Sequence, residues 1–193
     1  MRILTGLAVL ALAGCSVLPK APVEVRYTLA PVAGESASVG VAVDASRTIR
    51  VDRTTVPVAY RGSQLVLLKG GEQTFYAGKA WEAPLPDLLD AALVRDLGTA
   101  LPGWVVAGET AGVKSAYELQ TDVRTFATVQ EGSETAVVME ADVRLLDPAS
   151  RAVLKRLPYR FKQPLAKLTT EATVAAYNAG WRGLVAQVAG LVR

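Results

Sequence analysis

Very few residues in this chain have the types and spacing that chemistry requires. Histidine is absent and Cys15 is the single cysteine among 193 residues. The commonest general base and the commonest transition-metal ligand are therefore missing, and a Ser-His-Asp triad is excluded. No Gly-x-Ser-x-Gly elbow occurs. A phosphate-binding loop ending at Gly78-Lys79 would need glycine at position 73, where the chain has Gln73. Carboxylate pairs such as Glu140 and Asp142 alternate opposite basic residues, which is the spacing of a solvated charged face. The Glu131–Glu134 stretch lacks the spacing of an EF-type calcium loop, so neither metal nor cofactor is expected, and enzyme activity is not expected either. Cys15 remains. It follows Met1-Arg2 and an apolar run from Ile3 to Ala13, too short to span a bilayer, which takes roughly 20 residues. A basic start, a short apolar middle and a small pair, Ala13-Gly14, are the plan of a secretory signal peptide over residues 1–14.

The stretch Leu12-Ala13-Gly14-Cys15 resembles a lipobox, the cleavage signal of bacterial lipoproteins. That resemblance implies acylation of the Cys15 thiol, cleavage before it and acylation of the new N-terminus. Each buried methylene of an acyl chain contributes about 0.8 kcal/mol, so two or three chains hold firmly. Ser16 rather than Asp follows the cysteine, which by the same resemblance implies passage to the outer membrane. Residues 15–26, with Pro19 and Pro22, read as a lipidated tether; at roughly 3.3–3.6 Å per residue it reaches about 35 Å.

The rest must supply the scaffold. Residues 27–193 fit one domain of ordinary size. With 51% hydrophobic and 20% charged residues, the chain can bury a core and is not expected to be disordered. The net charge of +3 is scattered, with no basic stripe interleaved with aromatics, so nucleic-acid binding is not expected.

Period-2 alternation predicts strands at Arg26–Ala30, Thr48–Asp52, Leu65–Leu68, Thr74–Ala77, Trp104–Val106, Tyr117–Thr125, Val137–Leu145 and Val153–Phe161. Gly70-Gly71 supplies the positive φ of a tight hairpin, and Pro57 predicts an edge or a bend at Val56–Tyr60. Period-3.6 apolar stripes predict helices over Pro84–Ala100 and Thr170–Leu191. Asp87 and Glu171 sit near the positive ends of their helices. The fold class is α+β: an antiparallel-rich mixed sheet with two main helices packed on one face. For the hairpin of the two long central strands, the register expected is Arg124 opposite Asp142 and Asp122 opposite Arg144. A shift of two would set Asp122 against Asp142, like charges face to face. Trp104 and Trp181 read as core, whereas Trp81 suits either packing or an exposed contact.

The block Ile49-Arg50-Val51, Val56-Pro57, Tyr60, Leu65-Val66, Trp81, Pro84-Leu85, Leu93, Leu97 and Leu101 to Val106, with Tyr27-Thr28-Leu29 ahead of it, resembles the ABC-type transport auxiliary lipoprotein family. Within it, the chain is similar to the PqiC-like intermembrane transport lipoproteins. The family's Pro-x-Tyr-Leu reads here as Pro57-Val58-Ala59-Tyr60-Arg61. The resemblance implies a lipid-anchored accessory subunit on the periplasmic face of the outer membrane. Its implied partners are a PqiB-like tunnel protein with mammalian-cell-entry (MCE) domains and an inner-membrane transporter component. Homo-oligomerisation follows from a ring-shaped tunnel end, and Tyr60 and Trp81 are the candidate partner contacts. Two other readings share the same layout: a free-standing lipoprotein holding a lipid between helices and sheet, and an assembly factor for lipopolysaccharide or outer-membrane proteins.

Overall fold

The alternating segments become eight strands and the two stripes become two helices, in a computed structural model that describes residues 24–34 and 44–193. In chain order these are β1 (Val25–Tyr27), β2 (Thr48–Val51), β3 (Gln64–Lys69), β4 (Glu72–Trp81), α1 (Leu85–Ala100), β5 (Val105–Gly108), β6 (Tyr117–Glu131), β7 (Glu134–Leu146), β8 (Val153–Pro164) and α2 (Thr170–Val192). All eight strands form one mixed sheet. Its four parallel pairings are short. The antiparallel ladders of β6 with β7 and of β7 with β8 are the long ones. Strand β6 is the spine: β7 takes the whole of one edge, while β2 and β3 share the other.

Local chemistry accounts for the element ends. Gly70 and Gly71 have φ of 55° and 88°, the left-handed pair that a two-residue hairpin turn requires. Pro86 sits in the first turn of α1, where its missing N–H leaves no helical bond unmade. The Thr169 hydroxyl accepts from the Ala172 N–H at 3.2 Å and caps α2. At Pro57 the bend prevails: Val58–Tyr60 is a single 3-10 turn.

The register of the β6–β7 hairpin corrects the sequence reading. Asp122 lies opposite Asp142, and Gln120 opposite Arg144. The ladder shifts between Val123 and Thr125, leaving Arg124 as the extra residue of a bulge. Like charges tolerate this pairing because each acid has its own partners on a different side, and Asp142 is charge-paired. Asp122 accepts the Thr55 hydroxyl at 2.8 Å, and Asp142 is clasped by arginines from three directions. Thr55 also accepts from the Val123 N–H and donates its own N–H to the Thr121 carbonyl, both at 2.9 Å. It thereby fills the gap on the β6 edge between β2 and β3.

Both helices lie on one face of the sheet, α2 against β7 and β8 and α1 against β5 and β2, touching each other. Leu89, Leu93 and Leu97 from α1 and Tyr177, Trp181 and Val185 from α2 are buried with Leu119 and Val143 of the sheet. Among the described residues no helix is long and apolar enough to cross a membrane.

Candidate functional site

An aspartate on an apolar stripe marks the first site. Asp96 falls between Leu93 and Leu97 on the buried face of α1 and is itself 0% exposed. A buried carboxylate persists only if its oxygens are paired, and four donors pair them. The Trp181 indole N–H of α2 donates at 2.6 Å, Arg95 donates from Nε and Nη2 at 2.8 Å each, and the Val32 backbone N–H donates at 3.1 Å. Burial pushes this carboxyl up, but the hydrogen bonds from Arg95, Trp181 and Val32 outweigh it and leave it below the ordinary value.

These bonds hold the segment that emerges from the N-terminal side. Arg95 also donates to the Leu29 carbonyl at 3.0 Å, and the Ala30 N–H donates to Asn178 of α2 at 2.9 Å. Leu29 is fully buried. Just before it, the Glu82 N–H donates to the Tyr27 carbonyl at 2.8 Å, and Thr28 donates its hydroxyl to the Glu82 carboxylate at 2.6 Å. The chain that arrives from residue 24 is thus fixed in turn to β4, α1 and α2. Sequence reasoning passed over Asp96 and Asn178. The available signal was a polar residue within each apolar stripe.

Cys15 lies outside the described residues. Tyr60 and Trp81 are both inside the core, at 8% and 2% exposure. The Trp81 ring meets Tyr177 edge-on at 5.2 Å and Phe126 at 5.8 Å, while Phe126 and Tyr177 stack at 4.7 Å. Tyr60 has its phenol pushed up by burial and by the Glu140 charge. Their assignment as partner contacts therefore changes to packing: neither ring presents a face to solvent in this fold. The surface beside Tyr60 belongs instead to Pro57, Val58 and Ala59, with Val58 76% exposed.

The face of the sheet away from the helices carries several charged residues. Glu118 is buried between Arg50 and Arg151. Asp142, 2% exposed, accepts from Arg156, Arg144 and Arg124. The Arg156 hydrogen bond is the main reason its carboxyl sits below the ordinary range. On the other face, an apolar void bounded by Leu89, Leu93, Phe126, Met139 and Trp181 has a volume of about 10 Å³. That is less than the roughly 30 Å³ share of one liquid water, so no acyl chain enters there.

Three comparisons complete the description. The family model described as "ABC-type transport auxiliary lipoprotein component" matches residues 27–189. The chain is similar to the "Intermembrane transport lipoprotein PqiC" of Escherichia coli (strain K12) and of Shigella flexneri, 34% identical over 110 residues in each case. That alignment covers 56% of this chain and 57% of either relative. Among solved structures, an uncharacterized protein gives a TM-score of 0.70 at 23% identity, over 89% of this chain and 99% of the other. A protein of Xanthomonas campestris gives 0.66 at 23% identity, over 74% and 81%. These two share the fold.

Proposed function

The chain belongs to the ABC-type transport auxiliary lipoprotein family, and on that premise we propose that it is a non-enzymatic accessory subunit of an MCE-type intermembrane lipid transport system. Cys15, acylated after removal of residues 1–14, anchors it to the periplasmic face of the outer membrane. Residues 15–26 are the tether, and residues 27–193 dock on the outer end of a PqiB-like tunnel protein whose inner-membrane component completes the path. The 34% identity to the relatives named for intermembrane transport carries this reading. The fixed entry segment supports it. Load on a tether at residue 24 passes through Tyr27, Leu29, Ala30 and Val32 into both helices rather than into a loose end. A symmetric ring of copies suits a ring-shaped tunnel mouth.

Replacing the anchor tests the first half. Cys15→Ala is expected to move the protein from the membrane fraction to the soluble one and to abolish function, with its circular dichroism unchanged. An alanine variant that stays with the membrane overturns the anchor. Cross-linking in cells tests the second half: the expected adduct is an MCE-domain protein. An adduct only with lipopolysaccharide-assembly or outer-membrane-protein assembly components overturns the docking. The reading as a free-standing lipid carrier loses support from the closed core, whose void is far below the few hundred Å³ of an ordinary ligand pocket.

A further inference from the structure

The arginines around Asp142 do more than neutralise it. Three guanidiniums converge on a single carboxylate: Arg156 through Nε at 2.8 and 3.0 Å and through Nη2, Arg144 through Nε at 3.3 Å, and Arg124 through Nη2 at 3.4 Å. Each guanidinium carries five N–H donors. Among the described residues these three donate to nothing but Asp142, so most of their donors are unspent. The unspent ends face outward, since the Arg124 and Arg156 side chains are more than half exposed. Arg124 lies on the same face as Gln120 and Asp122, and the bulge leaves it without a directly opposed residue on β7.

The charges do not cancel. Arg160, 83% exposed, stands 3.9 Å from Glu140, whose other oxygen accepts the Thr125 hydroxyl at 3.0 Å. Counting Arg124, Arg156 and Arg160 against Asp142 and Glu140 leaves a surplus of one positive charge. Between these residues lies an open depression of about 110 Å³ floored by Asp142 and Pro158. At about 30 Å³ per water it has room for a group the size of phosphate, and it is open to solvent.

We propose that this depression is an anion site for a phosphate group, with Arg124, Arg156 and Arg160 as its donors. Guanidinium forks match phosphate oxygens in pairs, and the single negative charge of a phosphodiester meets a surplus of one. Asp142 holds the arginines in place before the ligand arrives, which lowers the ordering cost of binding. The phosphate comes from a phospholipid headgroup or from free phosphate. The site stands apart from the docking reading, and neither falls with the other.

The test uses the full chain carrying Cys15→Ala, so that no acyl anchor contributes. Calorimetric titration with inorganic phosphate is compared with chloride at equal ionic strength. Cosedimentation then compares vesicles of phosphatidylcholine alone with vesicles of equimolar phosphatidylglycerol and phosphatidylcholine. Phosphate binding above the chloride background is expected, and Arg124→Gln and Arg160→Gln are each expected to weaken it about tenfold, as loss of a charge-assisted hydrogen bond does. Arg182→Gln, the same charge change on exposed α2, is expected to leave it unaltered. Arg160 makes no contact with Asp142, so its variant remains informative if Arg156→Gln fails to fold. Stronger cosedimentation with the anionic vesicles, lost in the same variants, assigns a lipid headgroup. Titration without preference for those vesicles assigns free phosphate. The proposal is overturned if Arg182→Gln weakens binding as much as the cluster variants, or if only an acidic peptide such as polyglutamate binds.

Discussion

Asp96 is the buried residue that ties the entry segment to both helices. Four N–H donors from Trp181, Arg95 and Val32 converge on its two oxygens. Asp96→Ala would strand a buried indole N–H and a guanidinium at once. Removing one partner of a buried ionic contact costs about 3–5 kcal/mol, a large part of the 5–15 kcal/mol that holds an ordinary domain together. Urea unfolding is expected to show a midpoint shift of that order. Asp96→Asn keeps an acceptor for Trp181 and should lose less. Proteolysis offers an independent reading: cleavage within residues 27–34 should appear in the alanine variant before global unfolding. Equal protease resistance in wild type and variant would mean that the entry segment is held by β1 pairing and Leu29 alone.

Element by element, periodicity and turn chemistry made most of the fold legible, and the failures have one cause. Both helices and the glycine hairpin lie where the local signals placed them. The β6–β7 register does not, because cross-strand charge matching considers only two strands. Here Asp122 accepts a hydrogen bond from Thr55 of a crossing loop, while Asp142 draws Arg156 from the third strand. Trp81, which suited either packing or an exposed contact, is settled by a tertiary cluster with Phe126 and Tyr177, and Tyr60 is buried as well; no local pattern reports either. The glycines of α2 show what sequence alone leaves open. Read as weaknesses of the helix, they differ sharply in space. A Cβ at Gly180 would lie 2.5 Å from Met139 Sδ and 2.7 Å from a Phe161 ring carbon, whereas one at Gly190 would meet nothing. Gly180 lets α2 approach β7 and β8 closely. Gly180→Ala should therefore destabilise by about 1–3 kcal/mol, the usual cost of overpacking. Gly190→Ala should stabilise by up to about 1 kcal/mol through helix propensity. Thermal melts of the two variants, made in one background, check both the signs and the contrast.

At the scale of the whole molecule, the missing histidine sets the response to pH. With none in the chain, no side chain at its ordinary value titrates between about pH 5 and 8. The groups the fold perturbs move away from that window on both sides. Asp96 and Asp142 are lowered, so the native state holds their charged forms more tightly than the unfolded chain does. Their contribution is complete above the unfolded value near 3.9 and is lost as pH falls through the native one. On the alkaline side, burial pushes the Tyr159 phenol up to about 12 and raises Tyr177 further. The unfolded phenol ionises near 10. Stability from the neutral phenols is therefore complete below about pH 10 and is lost as pH rises toward 12. Melting temperature should thus form a flat plateau across pH 5–8, with an acid limb owed to carboxylates and an alkaline limb owed to tyrosines. Tyr159→Phe separates the two limbs. It removes an ionisable group but also the 2.5 Å bond from the phenol to the Gly180 carbonyl. The plateau should fall while the alkaline limb becomes shallower and the acid limb keeps its position. A slope within pH 5–8, or an alkaline limb unchanged in Tyr159→Phe, would show that groups other than these govern stability.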